Sequence, residues 1–185
     1  MGNPMATNVR KAGHELTIYD LRREVARNLE DAGAVWADSP RAVAAQSEVV
    51  FSSLPGPPEV EAAVLGDNGV FAGLAHGAAY IDMSTNSPTV VRKLAEIGTA
   101  RGFHVLDAPV TGGVPRAQNA TLTVFVGGQP DEFDQFKPLL SAIGTNVFHM
   151  GDVGCGNVTK LVNNMMAFVN FMGAAEGLAI GAKAG

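Results

Sequence analysis

Short runs of apolar and β-branched residues alternate along the chain with segments whose apolar positions recur every three or four residues. The runs are Glu15–Asp20, Val49–Leu54, Ala79–Met83, His104–Pro109, Leu122–Val126 and Val147–Met150, with a weaker one at Ala34–Ala37. Between them, Leu21–Ala32, Pro58–Leu65, Pro88–Arg101 and Asp131–Ile143 carry the helical period. Strands that are almost continuously apolar are buried on both faces, and helices between them supply the crossovers that parallel pairing requires. The pattern predicts an α/β fold: a doubly wound, mostly parallel sheet with helices on both sides. Gly and Pro fall mostly at the joints, as turn chemistry demands.

The last segment breaks this rhythm. From Asn157 to about Ala184 no strong helix breaker occurs, only single glycines at 173, 177 and 181. A helix of that length spans about 40 Å. Met165, Met166, Phe168, Val169, Phe171, Met172, Leu178 and Ile180 wrap most of its circumference, so burial on several sides is expected. Two units follow: residues 1–153 as the sheet domain and residues 154–185 as a long helix opening an all-α domain. The most apolar run, Met165 to Ile180, is interrupted by Asn170 and Glu176, and no membrane span is predicted.

Composition narrows the classes. The chain has 185 residues, 46% of them hydrophobic and 17% charged, which is a globular balance with ample core material. Net charge is −5 and the basic residues are scattered, so the basic stripe of a nucleic-acid binder is missing. One cysteine, Cys155, excludes an internal disulfide and any cysteine-cluster zinc site; His14, His76, His104 and His149 have no metal-ligand spacing, and no metal is expected. The cytoplasm is the expected location.

Five short stretches carry candidate chemistry. In "MGNPMATNVRKAGHELTIYD", Gly2 opens a helical stretch and Asp20 ends the strand after it. In a dinucleotide fold the third glycine of a G-x-G-x-x-G turn opens the first helix, and an acidic residue after the second strand takes the adenosine ribose. Taken alone these residues are only half of that fingerprint, and a plain helix–strand joint is the commoner reading of them. "SSLPGPPEV" and "DMSTNSP" each end a strand and open a helix with Pro, where strand C-termini face a ligand crevice; a Pro-rich connection and a Ser87 cap are the plainer readings. In "DAPVTGG", two glycines let backbone N–H groups approach an anion closely. A simple Gly-Gly turn is the alternative. In "GCGNVTKLVNN", Asn157 is expected to cap the long helix, placing Lys160 in its first turn and Asn164 on the same face. The positive helix end then lowers the Lys160 pKa and suits it to proton transfer.

Together these segments resemble the β-hydroxyacid dehydrogenase family of 3-hydroxyisobutyrate dehydrogenases and tartronate semialdehyde reductases, over essentially the whole chain. The resemblance implies a Rossmann-like fold and an NAD cofactor, with NADP possible because Arg22 and Arg23 follow Asp20. It implies that Gly2 is the last glycine of the phosphate turn and that Asp20 holds the adenosine ribose. Leu54 and Pro55 would line the cofactor site, with Thr85 near the nicotinamide ribose. Thr111, Gly112 and Gly113 would bind the carboxylate of a small hydroxyacid. Lys160 would be the acid/base, with Asn164 orienting the substrate, in a homo-oligomer with no nucleic-acid or membrane partner.

The chain departs from the family at Pro115, Arg116 and Ala120, where an unobstructed turn of small residues is expected. The family's first strand, two of its phosphate-turn glycines and most of its helical C-terminal domain are expected to lie outside the 185 residues. Without that strand, a gap or a forced pairing is expected between Glu15–Asp20 and Val49–Leu54. The competing readings are a non-catalytic dinucleotide-binding or scaffold module and an imine reductase-like enzyme. Lys160 argues against the latter, whose members usually lack it. A phosphogluconate-type substrate would need phosphate ligands that are not apparent. The 185-residue chain is expected to bind dinucleotide weakly and to be poorly stable. Tight NAD binding by calorimetry together with a cooperative melt would contradict this.

Overall fold

The structure, a computed structural model, describes residues 1–185. The chain starts with α1 (Gly2–Lys11) and β1 (Thr17–Ile18). A 3₁₀ turn (Arg23–Ala26) then runs into α2 (Arg27–Asp31), β2 (Val35–Trp36) and α3 (Pro40–Ala44). Next come β3 (Val49–Ser52), α4 (Pro57–Leu65), α5 (Val70–Gly73), β4 (Ala79–Asp82), α6 (Pro88–Ala100) and β5 (His104–Asp107). The chain continues with β6 (Val110–Thr111), α7 (Gly113–Gln118), β7 (Leu122–Gly127), α8 (Pro130–Leu140), β8 (Gly144–Gly151) and α9 (Cys155–Ala184).

The main sheet runs β3-β4-β5-β7-β6, with β8 also on β7. β3, β4 and β5 are parallel, and their register sets Ser52, Asp82 and Asp107 side by side at the strand ends. β7 meets β5 antiparallel through Asp107 and Gly127, and pairs with β8 in parallel. Alternation along the strands feeds two cores. Val50, Tyr80 and Val105 face α4, α5 and α6, against Val60, Val64, Phe71 and Leu94. Ile81, Leu106, Val124 and Val126 face the other way, against Met5 and Val9 of α1 and Phe133, Phe136 and Leu140 of α8.

β1 and β2 form a separate two-stranded parallel sheet over a small core of Ile18, Ala26, Leu29 and Ala34. No ladder joins β1 to β3, so the gap expected between them is what the structure has. α1 bridges the two sheets: Met5 and Val9 enter the main core while Ala6 packs on the small one.

Three expectations shift. Leu21–Ala32 is not one helix: the Arg22 N–H turns back to the Asp20 carboxylate, Arg22 is extended, and Leu21 is 90% exposed. The strand expected through Pro109 stops at Asp107; proline offers no ladder donor, and the chain restarts as β6 against β7. The third shift concerns α9. Its first two turns lie against β5, β7, β8 and α6. Beyond Lys160 its large apolar side chains are exposed rather than buried, Phe171 at 71% and Leu178 at 77%. By length and composition alone α9 is apolar enough to cross a membrane.

The seat of α9 depends on two glycines. A Cβ on Gly156 would overlap the Phe125 carbonyl oxygen and lie 2.9 Å from Asp107 Oδ2; a Cβ on Gly127 would overlap Asp107 Oδ1. Gly156→Ala should destabilise the chain by about 1–3 kcal/mol, the usual cost of overpacking. A denaturant melt reads this, and an unchanged midpoint would show that α9 is not held close.

Candidate active site

The site is built around two buried carboxylates at the ends of apolar strands. Asp82 and Asp107 are both fully buried. Asp82 Oδ1 accepts from Ser52 Oγ at 2.9 Å and from the Ser84 N–H at 3.0 Å; its Oδ2 accepts from Asn86 Nδ2 at 2.8 Å. Asp107 Oδ1 accepts the Gly154 N–H at 2.7 Å, and Oδ2 accepts the Asn157 N–H at 2.6 Å and Asn157 Nδ2 at 3.2 Å. Burial pushes the Asp107 carboxyl up, and these N–H groups pull it back towards ionisation.

Asn157 joins the halves. Its Oδ1 accepts the Asn86 N–H at 2.7 Å while its amide donates to Asp107. The result is a continuous polar chain from Ser52 through Asp82, Asn86 and Asn157 to Asp107, and no buried side-chain polar atom is left unpaired.

This chain corrects the expectation for Asn157. Helix α9 starts at Cys155 with Gly154 as its left-handed N-cap, because the Asp107 carboxylate, not a side chain of the helix, takes the first N–H groups. Asn157 therefore lies inside the first turn and Lys160 in the second. The Lys160 pKa is lowered, but burial is the cause. Lys160 is 8% exposed and enters no ion pair with the chain. Its ammonium is thus partly desolvated and without a competing carboxylate. Asn164, one turn on, is half-buried.

The polar chain also holds two of the cofactor-side positions. Ser84 Oγ accepts the Leu54 N–H at 2.9 Å. Thr85, between the buried Ser84 and Asn86, is exposed, as is Pro55. Leu54 is thus bonded into the polar chain, Thr85 lies between two of its members, and Lys160 follows Asn157 by three residues. Thr111 ends β6 and pairs with Thr123, and no hydrogen bond ties it or the glycines after it to that polar chain. Gly112 and Gly113 adopt φ of +129° and +70°, conformations an L side chain strains to reach, and both are exposed. Arg116 sits inside the short α7 and its stem folds against Gly112, so the arginine is accommodated without displacing the two glycines.

Gly2 and Asp20 lie on the α1 side. A Cβ on Gly2 would come 3.6 Å from Ser53 Cβ, which puts the start of α1 at the end of β3. No side chain caps α1 and no acidic residue occupies its first turn, so its N–H groups and positive end are open to an anion. Asp20 is exposed; one of its oxygens takes the Arg22 N–H at 2.9 Å, which leaves the other for hydroxyls. This donor and acceptor set fits a dinucleotide: an uncapped helix end for phosphate and a carboxylate for ribose.

Reading for motifs missed the buried frame of Asp107, Asn86 and Asn157. The signal was present: "YIDMS" and "VLDAPV" each end an apolar strand in aspartate, and a carboxylate there must find donors.

Comparison with known proteins agrees with this geometry. Residues 1–151 match the model of the NAD binding domain of 6-phosphogluconate dehydrogenase. The chain is 44% identical over all 185 residues to a 3-hydroxyisobutyrate dehydrogenase of Pseudomonas aeruginosa, and 41% identical to an NAD-dependent L-serine dehydrogenase of the same organism. It spans 62% of the length of each. Mycobacterium tuberculosis 3-hydroxyisobutyrate dehydrogenase, solved with L-serine, superposes with a TM-score of 0.92 at 31% identity, over 99% of this chain and 62% of that one.

Lys160 gives the site a pH signature. The folded chain holds its proton less tightly than the unfolded chain does, whose lysine keeps the ordinary 10.5. Stability from this residue therefore falls as pH drops through the folded pKa, and is fully present only above 10.5. Lys160→Met should melt higher than the parent at pH 7, with the difference shrinking as pH approaches 10. Thermal melts across that range test this, and a variant that melts lower at pH 7 would contradict it.

Proposed function

The chain belongs to the family defined by the NAD binding domain of 6-phosphogluconate dehydrogenase, and from that premise we propose that it serves an NAD-dependent dehydrogenase of small β-hydroxyacids. The substrate class is 3-hydroxyisobutyrate or 2-hydroxy-3-oxopropionate, and the cytoplasm is the place of work. The observation that carries the reading is Lys160, a buried residue in no ion pair, in the second turn of a helix whose start is fixed on Asp107.

In this reading residues 1–153 are the cofactor unit and residues 154–185 lead into a helical unit. Gly2 and the open end of α1 hold phosphate, and the free oxygen of Asp20 holds the adenosine ribose. Leu54, Pro55 and Thr85 line the nicotinamide side. Bound NAD supplies the hydride chemistry. Thr111, Gly112 and Gly113 present backbone N–H groups to the substrate carboxylate. Lys160, kept from other partners, takes the hydroxyl proton on oxidation and returns it on reduction, and Asn164 orients the hydroxyl-bearing carbon. A lysine of lowered pKa suits both directions better than a solvated one. The exposed apolar circumference of α9 supports assembly into a homo-oligomer.

One observation favours a second reading. β1 and β3 share no ladder, so cofactor contacts on the two sheets are joined only through α1 and loops. A non-catalytic dinucleotide-binding module needs no tighter coupling than that.

Oxidation of a panel of 3-hydroxyacids with NAD distinguishes the readings. Lys160→Ala should cut turnover by about 10²-fold or more, the scale of a lost general acid/base, while NADH affinity stays within about twofold. An unimpaired variant would remove Lys160 from the mechanism. NADH binding with no turnover of any acid would favour the module.

A further inference from the structure

Three arginines follow the ribose-side carboxylate: Arg22, Arg23 and Arg27. An arginine near that carboxylate is what accommodates the 2′-phosphate of NADP, so the state of each decides which cofactor is favoured. Arg22 gives its backbone N–H to Asp20, and its side chain makes no ion pair. Arg23 is differently placed. Its Nη2 donates to Glu30 Oε1 at 2.7 Å and its Nε to Glu30 Oε2 at 3.4 Å, a forked pair across seven residues. The face of the same guanidinium lies 5.2 Å from the Trp36 ring centroid. Trp36 in turn lies 5.9 Å from the ring of Tyr19, the residue before Asp20.

One edge and one face of Arg23 are therefore engaged, and Nη1 has no partner. A carboxylate satisfies the fork and an indole covers the plane. The Arg23 side chain is 63% exposed and that of Glu30 25%, and the arginine lowers the Glu30 pKa, chiefly through their hydrogen bond. A 2′-phosphate arriving beside Asp20 would meet a guanidinium already neutralised and oriented by Glu30, with only its Nη1 edge unpartnered. The pair lies on the small β1–β2 sheet, whose core is formed by other residues, so breaking it leaves the fold intact.

We propose that Glu30 is a specificity-determining residue: by holding Arg23 against itself and Trp36, it withholds that cation from the ribose and tilts the site towards NAD. The inference rests on the dinucleotide reading above and adds the side chain that sets the choice between NAD and NADP. It also assigns Trp36 a part, as the platform that fixes the arginine plane.

NADH and NADPH binding to the 185-residue chain, read by calorimetry, tests it with three variants. Glu30→Gln should raise NADPH affinity relative to NADH about fivefold, the scale of one charge-assisted contact at an exposed site. Asp31→Asn makes the same change in net charge next door without touching Arg23, and should shift the ratio by about twofold at most. Adding Arg23→Gln to Glu30→Gln should abolish the gain. An unchanged ratio in Glu30→Gln overturns the proposal. So does an equal shift in Asp31→Asn, or a gain that survives loss of Arg23. In these outcomes NADH still binds and the dinucleotide reading stands. If the parent chain binds neither NADH nor NADPH, both fall together.

Discussion

The geometry at the strand ends follows from one constraint: Asp107 is a fully buried carboxylate and must be satisfied. An ionised group without partners in an apolar interior costs several kcal/mol, so the chain has to deliver donors to it. It does so with the first turn of α9, whose N–H groups would otherwise lack acceptors. Each deficit cancels the other. The cost is steric: only glycine fits at 127 and 156, because the carboxylate and the helix backbone approach too closely for a Cβ. The helix is thus fixed in depth by Gly156 and in rotation by Asn157. Lys160 sits three residues past Asn157, so its position follows from the way Asp107 is satisfied.

The same logic extends sideways through Asn157 to Asn86 and Asp82. Parallel register places Asp82 beside Asp107, and although each buried carboxylate has its own donors, those donors are bonded to one another. Asn157 and Asn86 serve as amide links whose carbonyls accept and whose amides donate, so that one network holds both. Through Ser84 it also fixes the Leu54 backbone. The Leu54 backbone and the first turn of α9 are therefore joined by one hydrogen-bond network. The proposed carboxylate nest at Thr111–Gly113 lies outside that network, with both glycines exposed.

Much of this was legible in the sequence. Apolar runs located the β3, β4, β5 and β7 strands to within two residues at each end, because buried strands leave little choice of residue type. The gap beside β3 was one of the two outcomes, gap or forced pairing, that the family resemblance implied. Local turn chemistry was less readable. The Asp20 side chain captures the Arg22 N–H and delays the helix, a competition between side chain and helix that periodicity does not register. The start of α9 was misplaced for a related reason. Asparagine at a helix start suggests a cap, yet here the acceptor comes from a residue fifty positions earlier. Long-range satisfaction of a helix end leaves no local trace. The burial expected for α9 came from composition, which says that an apolar surface must be covered but not by what.

That exposed surface bears on the chemistry. Burial alone lowers the Lys160 pKa, and the α9 helix that carries it packs against the strands and α6. Leu161 and Val162, the next two residues, are exposed at 43% and 47%, and Met165 at 60%. Protein covering those positions would exclude water from the remaining side of the lysine and depress its pKa further. Covering this side of α9 and desolvating Lys160 further are then coupled.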